Sequence, residues 1–134
     1  MALGFEADQT GRGAGGRADG FWAAATLSAV ALTVAASEAR AAAKRSQAQA
    51  RIVAVCGELA ELADHPETKL VGAIALSLGE FVGQSALDES ALEIIAGHLE
   101  ALRAVLRHAI QGDGGSVGRQ IMAGLHASVA QRVS

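Results

Sequence analysis

Residues 107–121, RHAIQGDGGSVGRQI, hold the groups best suited to chemistry: the imidazole of His108, the amide of Gln111, the carboxylate of Asp113, and bare backbone at Gly112, Gly114, Gly115 and Gly118. A neutral imidazole nitrogen is a good nucleophile near pH 7. Glycine four residues on, at Gly112, clears side-chain bulk from the next helical turn, so that a partner protein can approach the ring. The same residues also have a purely structural reading. Gly112-Asp113-Gly114-Gly115 suits a helix C-terminus and turn, with Ser116 as the next N-cap. His108 then stands in a last turn, where an imidazolium gains roughly 0.3 to 1 kcal/mol from the helix dipole. The two readings require different backbones. In one the helix continues through the glycines, at about 1 kcal/mol each relative to alanine; in the other it breaks there.

The elements that position this stretch are helical. No apolar alternation bounded by turn dipeptides suggests strands, so the expected fold is all-α, an antiparallel bundle of about four helices with a long alanine-rich first helix. Leu92, Ile95, Leu99, Leu102, Leu106 and Ile110 recur at steps of three and four, a bundle-forming seam. At about 100° per residue His108 lies roughly 160° from its middle and faces water, while His98 falls at its boundary. Asp88 or Ser90 caps this helix, Ser90 with Glu93 fitting a reciprocal capping box. A preceding helix carries Leu70, Val71, Ile74, Leu78, Phe81 and Val82, with Pro66 in its first turn, Gly83 at its C-terminus, and Gly72 and Ala75 leaving room for a neighbour. Asp64, His65 and Pro66 separate it from a first long helix that ends near Ala63 after Ile52, Val55, Cys56, Leu59 and Leu62. A final amphipathic segment carries Val117, Ile121, Leu125 and Val129.

Two stretches near the N-terminus bear on location. Residues 1–19 hold glycine and charge and read as a flexible tail ahead of a helical domain over 20–134. The 18 residues from Gly20 to Ser37 carry no charge and would extend about 27 Å as a helix, near the thickness of a bilayer core. Arg40, Lys44, Arg45 and Arg51 follow, the flank expected on the cytoplasmic side of a span. Two alternatives stand open: an anchor in the inner membrane with the C-terminal part in the cytoplasm, or an alanine-rich helix buried in a cytoplasmic protein.

Composition limits the rest. The net charge of -3 gives no global attraction for nucleic acid. The single Cys56 forms no internal disulfide and stands at a core position as an inert thiol. The chain lacks a Walker-type phosphate loop, an HExxH and a nucleophile-elbow serine. Gly11, Gly13, Gly15 and Gly16 follow no strand, so they make no phosphate loop. His65, His98, His108 and His126 have none of the spacings that put two metal ligands on one helical face, so neither metal nor cofactor is expected.

The spacing of His108, Ile110, Gly112 and Gly118 resembles the signature of histidine phosphotransfer (HPt) domains: histidine, an aliphatic residue at +2, lysine at +3, and glycine at +4 and +10. Gln111 stands where the family has lysine, and the likeness covers about residues 100–130. The resemblance implies a phosphorelay intermediary of bacterial two-component signalling. His108 would accept a phosphoryl group and pass it on, and Gln111, Gly112, Gly115 and Gly118 would meet a response-regulator receiver or a histidine kinase. Without the lysine, and with Asp113 adding an anion, the resemblance also fits a degenerate domain that docks a receiver without taking its phosphate. An alternative of a different class is a non-catalytic helical scaffold or assembly subunit, membrane-anchored through residues 20–37 or self-associating through alanine-rich helices.

Overall fold

The computed structural model describes residues 9–133, with side chains over 20–132. Among the described residues the chain is all-α and has no strand. Five helices follow in order: α1 (Gln9–Glu38), α2 (Arg45–Leu62), α3 (Lys69–Gly83), α4 (Glu89–His108) and α5 (Gly115–Val133). Helix α1 packs on α2 and α4, α3 packs on the same two helices from the other side, and α5 lies against α3 and α4.

The expected long first helix is two helices, which raises the count from four to five. Nothing between Glu38 and Arg45 breaks a helix by residue type, because alanine, arginine and lysine all favour one. The break is closed by a side chain reaching back along the chain. Arg45 folds back so that its Nε donates to the Ala39 carbonyl at 2.8 Å and its Nη2 to the Arg40 carbonyl at 3.2 Å, satisfying acceptors that the end of α1 leaves free. A 3-10 turn over Ala42–Lys44 then starts α2. The N-terminal boundary also differs. Residues 9–19, read as tail, belong to the backbone of α1, since extending an existing helix costs far less than starting one. Residues 1–8 of that tail lie outside the described residues.

The core is aliphatic and close-packed. Helix α1 buries Phe21, Ala25, Ala29, Leu32 and Ala35, Ala39 is buried just past its end, and α2 buries Ala48, Ile52, Cys56 and Leu59. Alanine and glycine set the helix spacing. A Cβ added at Gly79 would stand 3.2 Å from the Cys56 Cβ, and one at Gly72 would stand 3.4 Å from the Ala63 Cβ, so α2 and α3 approach at near-backbone distance. Burial pushes the Cys56 thiol up to about 12, which keeps it protonated and inert.

The ends of the helices are tied by side chains. Pro66 opens a 3-10 turn that leads into α3, and the Thr68 hydroxyl donates to the Ala63 carbonyl at 2.9 Å. Gly83 ends α3 without a left-handed backbone, and Gln49 supplies the cap by donating to the carbonyls of Val82 at 2.7 Å and Ser85 at 2.9 Å. Asp88, rather than Ser90, caps α4: its carboxylate accepts from the Ala91 amide at 2.9 Å and pairs with Arg132 at 2.7 Å. The bond from Arg132, and then that from the Ala91 amide, hold the Asp88 carboxyl below the usual range.

Candidate functional site

His108 is the last residue of α4 and is exposed. The helix stops there because Ala109 adopts a left-handed conformation, φ 47° and ψ 50°. Its amide donates to the Leu106 carbonyl at 3.2 Å, and the Ile110 amide donates to the Val105 carbonyl at 3.0 Å. This is a complete Schellman closure with alanine at the position that usually takes glycine. The backbone therefore breaks before Gly112 is reached. The arrangement implied by the resemblance, with Gly112 one turn beyond His108 on the same helical face, is corrected by this closure.

Each glycine of the connection has a local task except one. Gly112, at φ 63°, bridges to the start of α3: its amide donates to the Glu67 carbonyl at 2.7 Å and its carbonyl accepts from the Leu70 amide at 2.8 Å. Gly114, at φ 78°, packs against Gly118 and Leu70. Gly118 is buried, and a Cβ there would collide with the Asp113 carbonyl. Asp113 turns its carboxylate back to accept from the Gly115 amide at 2.9 Å, and α5 starts at Gly115, so Ser116 is not its N-cap. Gly115, at φ 58°, faces open space, and Gln111 is exposed. Of the five residues assigned to the site by sequence, His108, Gln111 and Gly115 reach solvent, while Gly112 and Gly118 are spent on the chain's own packing.

His98 is not a boundary residue; its exposure is 0%. The seam alone misplaces it because α4 is covered by α1, α3 and α5, and so buries a wider face that includes Ala91, Ile94 and Val105. Its Nδ1 stands 2.9 Å from the Ile94 carbonyl, which can only accept, so Nδ1 carries the proton and Nε2 accepts from the Ser77 hydroxyl at 2.9 Å. Burial pushes the His98 pKa down, the bond to Ile94 pulls it up, and His126 lowers it further. The neutral ring is the resting form. Ser77 opens on a groove of about 560 Å³ between α3 and α5, lined also by Glu80, Phe81, Met122 and His126. A serine bonded to a histidine that is itself oriented has the bond pattern of an activated nucleophile. Two features disarm it. The imidazolium would form in the core with only a carbonyl to hold it, and the amides beside Ser77 are bonded within α3, leaving no backbone donor for an oxyanion. The pair locks α3 to α4.

A second surface was hidden in the sequence by its alanines. The large apolar residues of α1 are not mainly its core: Leu27, Val30 and Val34 are 72%, 55% and 52% exposed. They recur at steps of three and four, offset from the buried stripe that starts at Phe21, and that offset is the signal which could have revealed them. Beside them runs a groove of about 430 Å³ between α1 and α4, lined by Thr26, Ala29, Val30, Thr33, Val34, Arg103, Leu106 and Arg107. Its lining contains no acid. The Arg103 guanidinium donates to the Thr33 hydroxyl at 3.2 Å. The stretch Gly20–Glu38 is long and apolar enough to cross a membrane, and 28% of it is buried in the fold. Among the described residues no group of three or more His, Cys, Asp and Glu side chains is placed to hold a metal.

Compared with protein-family models, with curated proteins and with solved structures, the chain matches none.

Proposed function

We propose that this chain is a non-catalytic helical scaffold or docking subunit whose working surface is the outer side of α1. We read α1 to α4 as an antiparallel four-helix bundle and α5 as an addition that covers α3 and α4. The observation that carries the proposal is the apolar ridge of Leu27, Val30 and Val34 on a segment with no charge from Gly20 to Ser37. A helix on the surface of a soluble domain ordinarily turns charge outward, and contiguous exposed apolar area marks an interaction surface. The remaining large exposed apolar residues, Val53, Leu62, Leu76 and Val117, do not share an element with the ridge. Burying the ridge against something returns about 1 kcal/mol or more for each of the three side chains.

The test compares the native chain with Leu27→Gln/Val30→Ser/Val34→Gln, by light scattering after gel filtration and by fractionation of cells into membrane and soluble parts. The native chain is expected to associate, with itself or with a cellular surface, and the variant is expected to remain folded and monomeric. Identical behaviour of the two would remove the proposal.

A second reading rests on the exposure of His108 beside Arg107 at the end of α4. An exposed imidazole can meet a phosphorylated receiver, and the HPt resemblance supports that role. Incubation with a phosphorylated receiver measures it: acid-labile phosphate that disappears in His108→Gln supports phosphotransfer, and an unlabelled chain leaves the scaffold.

A further inference from the structure

We infer that α1 lies flat on an anionic lipid surface, with its outer ridge among the upper acyl chains and arginine side chains at the headgroups. The inference rests on the docking role proposed for α1 and names what it docks to.

The orientation follows from the inner face. A crossing helix would have to leave the bundle and strip Phe21, Ala25, Leu32 and Ala35 of the contacts that bury them. Lying in the plane keeps those contacts and immerses only the opposite side. That side has the composition of an interfacial helix. From Gly20 to Ser37 its large residues are apolar, the exposed Ala23, Thr26, Thr33 and Ser37 around them are small and uncharged, and the exposed Glu38 ends the stripe two residues before Arg40.

The occupant follows from shape and charge. Leu27, the most exposed of the ridge residues, stands outside the groove lining, so the apolar surface crests at Leu27, while Val30 and Val34 also form one wall of the groove. A peptide helix seeks a groove that accepts its side chains, whereas a bilayer yields to a ridge. Arg103 and Arg107 project from successive turns of α4 along one flank of the ridge, and Arg40 lies past its C-terminal end in a groove shared with Arg103 and Glu100. An antiparallel second copy would set the same arginines on this flank. Anionic headgroups meet them with the opposite charge, and three half-exposed apolar side chains need that added attraction to hold a protein at a surface.

The experiment uses the full chain and two kinds of vesicle, phosphatidylcholine alone and phosphatidylcholine mixed with phosphatidylglycerol. The single tryptophan, Trp22, is half-buried in α1 and reports insertion. Expected are flotation with the mixed vesicles only, release by salt, and quenching of Trp22 by lipids brominated near the top of the acyl chain. Arg103→Gln/Arg107→Gln is expected to weaken binding roughly thirtyfold, and Leu27→Gln/Val30→Ser/Val34→Gln to abolish it. Absence of flotation with the mixed vesicles overturns the inference, as does binding that neither variant weakens. Retention in the membrane through alkaline carbonate extraction overturns the flat orientation. If the native chain ignores vesicles but forms a dimer that the ridge variant dissociates, the lipid assignment fails and the docking role of α1 stands. If it does neither, both fail.

Discussion

The connection between α4 and α5 and the outer side of α1 are both unusual surfaces, one bare of side chains and the other bare of charge. They differ in what the chain itself does with them. At the connection, the bridge from Gly112 to the start of α3, the burial of Gly118 under the Asp113 carbonyl and the turn made by Asp113 account for the residue types locally. On α1, Leu27 and Val34 remain more than half exposed after the fold has packed, on the side away from the buried alanines. A feature explained by internal packing asks for no partner, whereas an apolar feature left over after packing does.

The comparison breaks most visibly at Gly118. Replacing it with alanine drives a Cβ into backbone, and a loss of about 3 kcal/mol is expected in urea unfolding, accompanied by faster hydrogen exchange at the Leu70 amide that Gly112 holds. Stability equal to the native chain's would mean that the connection is not packed as described.

Ser77→Ala comes next. It leaves the Nε2 of a buried ring without a donor, at an expected cost of about 1 to 2 kcal/mol, with no change in any surface association. The same histidine sets a pH dependence. Because its folded pKa is depressed below the ordinary value near 6.5, the unfolded chain takes up the proton first as pH falls. Its contribution to stability is complete above about pH 6.5 and drains away below it, so the melting temperature should fall more steeply between neutral and mildly acid pH in the native chain than in His98→Leu.

Ala109→Gly sharpens the picture from the other side. Glycine relieves the left-handed strain at the end of α4, and a gain of roughly 0.5 kcal/mol is expected in denaturant titration. A loss would mean that the Schellman closure is not the resting backbone. The smallest effect on stability belongs to the ridge: each of Leu27→Gln, Val30→Ser and Val34→Gln should change it by no more than about 0.5 kcal/mol, since more than half of each side chain is already in water.

Helices α3 and α4 were legible because their buried residues are large and recur with the helical period, and because Pro66 and Asp88 mark entries by chemistry that acts locally. The turn at 39–44 was not, since it depends on Arg45 reaching back to a carbonyl and not on a residue that forbids a helix. The orientation of α1 was lost for a related reason: its inner face is mostly alanine, so the eye goes to leucine and valine, which point outward. His98 was misplaced because a single seam describes one neighbour, and α4 has three. At the candidate site, sequence located the exposed imidazole and the run of glycines. It did not resolve which glycines take a positive φ, because that is decided by the bridge to Glu67 and Leu70 on another element.

Photo-crosslinking in cells tests the central contrast most directly, with a benzophenone amino acid placed at Val30 on the ridge or at Gln111 in the connection. Adducts from Val30, to lipid or to protein, with none from Gln111, are the expected result. Adducts from Gln111 with a clean Val30 would contradict the account and move the working surface to His108 and its glycines.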